Sequence, residues 1–521
     1  MSRAILKSTS ATGLATLLSR ITGMLRDTVM AQALGAGALS DAFFVAFKIP
    51  NFLRRLFAEG AFSQSFVPVI SEYRTQRDRE EVRELVSGVA GTLGAVLLVV
   101  SALGVIGAPA IIFVFAPKWA LSDSNGYDLA VQMLRWTFPY LLFVSLTSLF
   151  SGVLNSHGRF VVPAITQVVM NVVLIVTAIF FAAHSDNPGL ALSIGVFVSG
   201  VLQVLFQLPS VARLHLLSWP RWRPAMEGVR RIAKLMVPGI VGSSMAQISL
   251  LIDTQIATAL VSGSVTWLYY ADRLMEFPLG VFSIALATVI LPGLSAHHAA
   301  KSKHEFTQTL DWALRITVLL ASPAAVGLLF FAGPMTATVF GYGRFEPDDV
   351  RMASYALMAY SWGLLVFSLV KVLAPGYYAR QDTKRPVRIA LIALGCTMTL
   401  NVLVVLPAAH FGFPMPHVLL ATSTCLGAAI NSTLLWRGLT RIGVFTPSSL
   451  WPKFLARVVT ANIAMAVVLY LLSGSLDTWM AMHFAERLLR CTGGILAGAA
   501  VYFAVLFALG LRYRDLRTQV A

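Results

Sequence analysis

From Asp41 to Val69 the chain reads DAFFVAFKIPNFLRRLFAEGAFSQSFVPV, an apolar stretch interrupted at wide intervals by charge. A helix of this length crosses a hydrocarbon core of roughly 30 Å. Asp41, Lys48 and Arg55 stand seven residues apart. Seven steps of 100° return to within about 20° of the same face, so the three form one stripe, which Glu59 joins one turn below Arg55. A hydrophilic stripe along an otherwise apolar helix implies a water-filled cavity beside it.

The rest of the chain has the same character. Of 521 residues, 57% are hydrophobic and only 12% charged, with a mean hydropathy of +0.74. Soluble domains carry roughly 25% charge, so about half of the expected charge is missing. Apolar runs near span length recur from end to end, and the short alternating strands of a closed barrel are absent, which leaves an all-α integral membrane protein. Gly, Pro and charge punctuate fourteen transmembrane helices at about 10–34, 41–70, 85–115, 128–154, 160–183, 188–212, 233–260, 267–295, 309–332, 349–378, 386–408, 415–436, 451–473 and 486–511. Alternate connections are rich in Arg and Lys, among them Arg74 to Arg83, Arg213 to Arg231 and Arg380 to Arg385, and both ends of the sequence join that set. By the positive-inside rule both termini are expected in the cytoplasm. The net charge of +16 is spread over these loops rather than gathered in one patch, which argues against nucleic acid. Cys396, Cys425 and Cys491 lie in apolar segments without metal or disulfide spacing. Arg20 and Arg26 in the first apolar segment speak for a retained span rather than a cleaved signal.

Two pairs of segments repeat at nearly one offset. FVPVIS (Phe66 to Ser71) matches ILPGLS (Ile290 to Ser295) at 224 residues, and LLFVSL (Leu141 to Leu146) matches LLVFSL (Leu364 to Leu369) at 223. The offset spans six helices, an even number, so the copies are expected to be parallel, related by an axis along the membrane normal. The expected organisation is an N-terminal lobe at 1–225, a C-terminal lobe at 226–445, and two further helices at 446–521.

Charges inside spans cost roughly 2.5–3.5 kcal/mol each at a helix centre and face a cavity or a partner. They concentrate in span one (Arg20, Arg26, Asp27), span two (Asp41, Lys48, Arg54, Arg55, Glu59) and span eight (Asp272, Arg273, Glu276). Arg20 and Asp27 share a face, and Ser19 stacks under Arg26. Two readings stand at this point. The charges could fix helix packing as buried pairs, such as Arg55 with Glu59 or Arg26 with Asp27. Alternatively Arg20, Arg26, Arg54 and Arg273 gather on an anionic headgroup, a use that suits guanidinium because it binds phosphate bidentately and stays charged when desolvated.

At these residues the chain resembles the MurJ (MviN) lipid II flippases, in the wider multidrug, oligosaccharidyl-lipid and polysaccharide exporter group. The resemblance rests on Ser19-Arg20 and Arg26-Asp27, on the run from Asp41 to Val69, on YYADRLMEFPLGV (Tyr269 to Val281) and on KVLAPGYYARQDTKRPV (Lys371 to Val387). It implies two six-helix lobes around a cationic cavity, with the last two helices forming a groove for a lipid tail. The implied ligand is lipid II, an undecaprenyl-pyrophosphate-linked peptidoglycan precursor moved from the cytoplasmic to the periplasmic leaflet of the bacterial inner membrane. The family's cavity arginines match Arg20, Arg26, Arg54 and Arg273, with Ser19 beside them. Its outer-gate aspartate matches Asp41 and its span-two glutamate Glu59, while Asp27, Lys48, Arg55 and Glu276 would be gating groups or charge partners. Some members bind sodium through an aspartate in span seven, which points to Asp253, with Asn401 as a second candidate ligand; the alternative for both is helix packing. Cell-wall synthesis proteins are the implied protein partners, and coupling to Na+ or to the membrane potential is the implied energy source, with no other cofactor.

Other functions make different demands. No G-x-x-x-x-G-K-[ST] loop is present for nucleotide-driven transport. An exporter of cationic drugs has no use for arginines in its cavity, although another lipid-linked oligosaccharide or amphiphile would fit them. A membrane glycosyltransferase needs catalytic carboxylates or a metal near a sizeable outer domain, and the outer loops here are short. A scaffold has no need of intramembrane charge. A transporter rather than an enzyme is the expectation.

Overall fold

The computed structural model describes residues 3–55, 62–122, 125–280 and 284–512, and these are helical with no strand among them. The first span is α1 (Arg3–Leu34); the second comprises α2 (Ala38–Arg54) and α3 (Ser63–Gln76). The third, α4 (Arg79–Ile106) and α5 (Ala108–Phe115), breaks at Gly107, and α6 (Pro117–Leu121) follows it. The fourth, α7 (Asn125–Thr137) and α8 (Tyr140–Ser156), breaks ahead of Pro139, which has no N–H to give the helix. The fifth, α9 (Val161–Val176), runs on through a π-helical turn at Thr177–Phe181, and α10 (Pro188–Ala212) is the sixth.

The second half repeats this order: α11 (Glu227–Thr258), α12 (Ser264–Pro278) with α13 (Ile284–Ala299), α14 (Lys303–Phe330) followed by α15 (Ala332–Phe340), and α16 (Pro347–Tyr378). α17 (Lys384–Leu400) continues through a π-helical turn at Asn401–Val405 into α18 (Leu406–His410), and α19 (Pro416–Arg441) completes the set. Last come α20 (Trp451–Ser473), the short α21 (Leu476–Ala481) and α22 (Phe484–Ala508). Each of the fourteen expected spans therefore has its helix or helix pair.

The internal repeat is visible in the element boundaries. α1 and α11 have 32 residues each and begin and end 224 residues apart. α4 and α14 have 28 each at the same offset, and the two π-helical turns stand 224 apart as well. A π turn needs an extra residue in the helix and appears mostly as a single interruption. Its recurrence at one offset is far more specific than the leucine-rich matches that first suggest the repeat.

Among the described residues, ten helical segments are long and apolar enough to cross a membrane. The spans outside that set are the first, second, seventh and eighth. They are the spans that hold Arg20, Arg26 and Asp27, then Asp41 to Arg55, then Asp253, then Asp272 to Glu276. The charges picked out in the sequence therefore fall in the first helix pair of each repeat.

Backbone contacts divide the chain into two compact units, Met1–Thr266 and Trp267–Ala521. In the first, α1 packs along α9, α2 along α7, and α10 against α7, α8 and α9, while α11 lies against α2, α3, α4 and α5. Its core includes Phe66, Val69, Leu85, Leu149, Val153 and Leu216. In the second, α16 is central and packs on both α14 and α19, α17 packs on α19, and α20 pairs with α22 and α14. Its core includes Leu294, Leu310, Leu314, Leu373, Tyr377 and Phe445.

Candidate functional site

Arg26 is buried and bound through all three guanidinium nitrogens. It is 5% exposed and its neighbour Asp27 3%. Its Nη2 and Nε donate to Asp27 Oδ1 at 2.6 and 3.0 Å, and its Nη1 donates to Asn171 Oδ1 at 3.1 Å. Asn171 sits on α9, where sequence reasoning that surveyed charges passed over it. Its Nδ2 donates at 3.1 Å both to the Ser19 carbonyl and to the Thr22 hydroxyl of α1. Because the Ser19 carbonyl can only accept, the amide is fixed with its oxygen toward Arg26. The signal available in the sequence was a lone amide in an apolar helix, which costs free energy unless hydrogen-bonded. Ser19 and Arg20 are half-buried on the same helix.

Asp41 and Lys48 do share a face of α2, and both turn to the α11 segment. Asp41 is buried; its Oδ2 accepts from the Gly263 N–H at 2.7 Å, and its Oδ1 accepts from the Thr266 N–H at 2.9 Å and hydroxyl at 2.6 Å. The carboxylate thereby binds the turn that follows α11, taking up backbone donors left open by the end of one helix and the start of the next. One seven-residue step along α2, Lys48 Nζ lies 3.4 Å from Thr254 Oγ1. Arg54 Nε donates to Asn51 Oδ1 at 3.0 Å, one turn back on its own helix, and Arg55 is half-buried. Glu59 lies outside the described residues.

In the second unit, Arg273 Nη1 donates to Glu276 Oε2 at 2.9 Å, and its guanidinium carbon stands 5.0 Å from the Tyr269 ring centroid. Packing over an aromatic face holds the planar cation in a set direction while leaving it charged. Asp272 is half-buried beside it.

The two candidate sodium ligands fall in different units. Asp253 is half-buried on α11, one residue before Thr254. Asn401 is fully buried where α17 enters its π-helical turn. Its Oδ1 accepts from the Ser423 hydroxyl, and its Nδ2 has no hydrogen-bond partner among the described residues. The Ser423 hydroxyl has one proton and also reaches the Leu420 carbonyl at 2.9 Å, so the reverse amide orientation, with Nδ2 on Ser423 and Oδ1 open, meets the same contacts. Among the described residues no three His, Cys, Asp or Glu side chains form a metal-binding group.

Two buried ionic groups went unremarked in the sequence. Arg487 of α22 donates to the carbonyls of Ala337, Gly341, Met480 and Met482 at 2.6–3.1 Å, capping the C-terminal ends of α15 and α21 with one charge. Asp311 of α14 accepts from Trp451 Nε1 at 2.6 Å and Ser448 Oγ at 3.0 Å, and its carboxylate lies 3.0 Å from Arg315 Nε. Both fasten connections rather than line a span.

The architecture is that of a polytopic helical membrane transporter. Against solved structures the chain superimposes on a lipid II flippase MurJ in an inward closed conformation with a TM-score of 0.77, at 24% identity, covering 97% of this chain and 99% of that one. A multidrug resistance MATE family transporter of the MOP superfamily, in an inward-facing conformation, gives 0.66 at 13% identity over 85% and 99%. Fold likeness at such identity establishes the fold alone. Sequence carries it further: the family model described as "Lipid II flippase MurJ" matches residues 30–490. A "Probable lipid II flippase MurJ" of Vibrio cholerae is 44% identical over 99% of this chain and 98% of its own length. The "Lipid II flippase MurJ" of Burkholderia cenocepacia is 42% identical over 96% and 97%. The chain belongs to the MurJ lipid II flippase family.

Proposed function

We propose that this protein is a lipid II flippase that carries the undecaprenyl-pyrophosphate-linked precursor from the cytoplasmic to the periplasmic leaflet of the bacterial inner membrane, with both termini in the cytoplasm. The observation that carries the reading is family membership along nearly the whole chain, with relatives matched end to end at 42–44% identity. The concentration of cationic side chains in spans one, two and eight supports it, since a pyrophosphate moving through a membrane needs cationic groups on a few helices. Arg20, Arg26, Arg54 and Arg273 are the residues proposed to meet the pyrophosphate. Arg26 and Arg273 are suited to this by the partners that orient them. The protein acts as a transporter without bond chemistry of its own.

Movement would proceed by alternating access, driven by the membrane potential or an ion gradient, a reading supported by the absence of a nucleotide loop from the sequence. Cell-wall synthesis proteins are the natural partners of such an activity. Binding of purified protein to lipid II, compared with a zwitterionic lipid of equal chain length, tests the assignment. Preference for lipid II that weakens in Arg273→Ala is the expected result, and equal binding of both lipids would remove it.

A further inference from the structure

Between α10 and α11 the chain crosses residues 213–226 without helix and folds back onto α4. The Arg221 N–H donates to the Ser87 carbonyl at 3.1 Å, and the Ser87 hydroxyl donates to the Trp219 carbonyl at 2.5 Å. The Arg223 N–H donates to Thr92 Oγ1 at 3.2 Å, and its guanidinium lies 3.3 Å from Glu84 Oε1. Gly91 permits this approach, because a Cβ there would stand 2.3 Å from the Arg221 backbone. The connection is therefore held at a fixed height on α4.

Three helices measure that height. On α4 the exposed apolar side chains begin at Val96, four residues beyond Thr92, or about 6 Å along the axis. On α10 they end at Phe206, seven residues before Arg213, or about 10 Å. On α11 they begin at Leu235, five residues after Arg230, or about 8 Å. The headgroup layer of a bilayer is roughly 5–8 Å deep on each side, so the three distances place the α4 contact at Thr92 and Arg230 within it and Arg213 just beyond its outer edge.

What the connection presents there is unusual for a surface loop. Trp219 is 87% exposed and Trp222 59%, although indole rings are costly to leave in water. Arg213, Arg221 and Arg230 are exposed, and among the described residues no carboxylate lies within ion-pair distance of them. From 213 to 231 there are five arginines and one acidic residue, Glu227. Tryptophans sit at the boundary of headgroup and hydrocarbon, and guanidinium binds lipid phosphate bidentately.

We propose that residues 213–231 form an interfacial anchor that binds the headgroups of anionic phospholipids on the arginine-rich side of the bilayer. The tryptophans set its depth and the three exposed arginines select the charge. The site is independent of the transported ligand and of the charges in spans one, two and eight. Each arginine near an anionic surface favours the docked position about fivefold, so three together make docking strongly dependent on lipid charge.

The test places a nitroxide at Ala225→Cys, an exposed position, in full-length protein with Cys396 replaced by alanine, the other two cysteines being buried. Protein is reconstituted into nanodiscs of phosphatidylcholine alone or with phosphatidylglycerol, and collision with oxygen and with a water-soluble nickel chelate gives the depth of the label. The expected result is an interfacial depth in the phosphatidylglycerol discs that shifts toward water-like values in Arg213→Gln/Arg221→Gln/Arg230→Gln. A label that is water-exposed in both compositions would overturn the proposal. So would one that is interfacial in both and unmoved by the triple substitution, since aromatic burial alone would then set the depth.

Discussion

Arg26→Ala is the obvious probe of a cationic site, and the structure predicts that by itself it misleads. The substitution takes a guanidinium away from a carboxylate that is 3% exposed and bound to it at 2.6 Å. Removing one member of a buried ion pair costs about 3–5 kcal/mol because the other charge keeps its burial. Loss of activity in this variant would then report folding as well as function. Arg26→Ala/Asp27→Ala removes both charges and leaves chiefly the Asn171 acceptor unmet, a cost of about 1–3 kcal/mol. The double variant is therefore predicted to be more stable than the single one by about 2 kcal/mol, the difference between those two figures. Denaturant midpoints of purified protein, together with abundance in the membrane, measure it. A double variant no more stable than Arg26→Ala would refute the reasoning, because the two charges would then be energetically independent. If the double variant accumulates normally and still fails to transport, Arg26 acts on the ligand rather than only on Asp27.

Other consequences follow from the same contacts. Asp41→Ala leaves two backbone N–H groups and the Thr266 hydroxyl without their acceptor and should destabilise the first unit by about 2–4 kcal/mol, while Asp41→Asn, which retains one acceptor oxygen, should cost less; denaturant midpoints of the two variants compare them. Arg487→Lys keeps the charge but cannot reach four carbonyls from one ammonium, so a loss of about 2–3 kcal/mol and faster proteolysis of the 341–346 connection are expected. Beyond the apolar part of α3, the Arg231 hydrogen bond and charge hold the Glu72 carboxyl below its ordinary 4.5. The contact between α3 and α11 is then fully formed above pH 4.5 and weakens as the pH falls through the depressed folded value. Nitroxides at Gln76 and Glu227 should move apart over that interval, and a separation already widened and insensitive to pH is expected in Glu72→Gln.

The fold was legible because a bilayer leaves few choices: an apolar run of span length becomes a helix, and the arginine-rich loops fix the count. The repeat showed faintly in FVPVIS and ILPGLS and became firm only in the paired π-helical turns, which no residue pattern announces. The stripe of Asp41 and Lys48 followed from helical geometry, and both residues do face one side. What they touch was not legible, because Gly263, Thr266 and Thr254 lie more than 200 residues away in the chain. Asn171 was missed for a different reason. An uncharged amide does not disturb hydropathy, so its burial against Arg26 becomes visible only when α9 is seen to pack along α1. Arg487 lies near the start of its helix, where an arginine can reach the membrane edge, and nothing in the sequence shows that two other helices end against it.

The most direct measurement is complementation in bacteria depleted of their own lipid II flippase. Wild type, Arg26→Ala/Asp27→Ala and Arg273→Ala would be brought to equal abundance in the membrane, with growth and the periplasmic accessibility of lipid II read together. The account predicts that wild type restores both, and that the two variants insert normally but leave lipid II on the cytoplasmic side. Wild-type protein that inserts and leaves lipid II inside would contradict the assigned substrate, and full transport by both variants would contradict the cationic site.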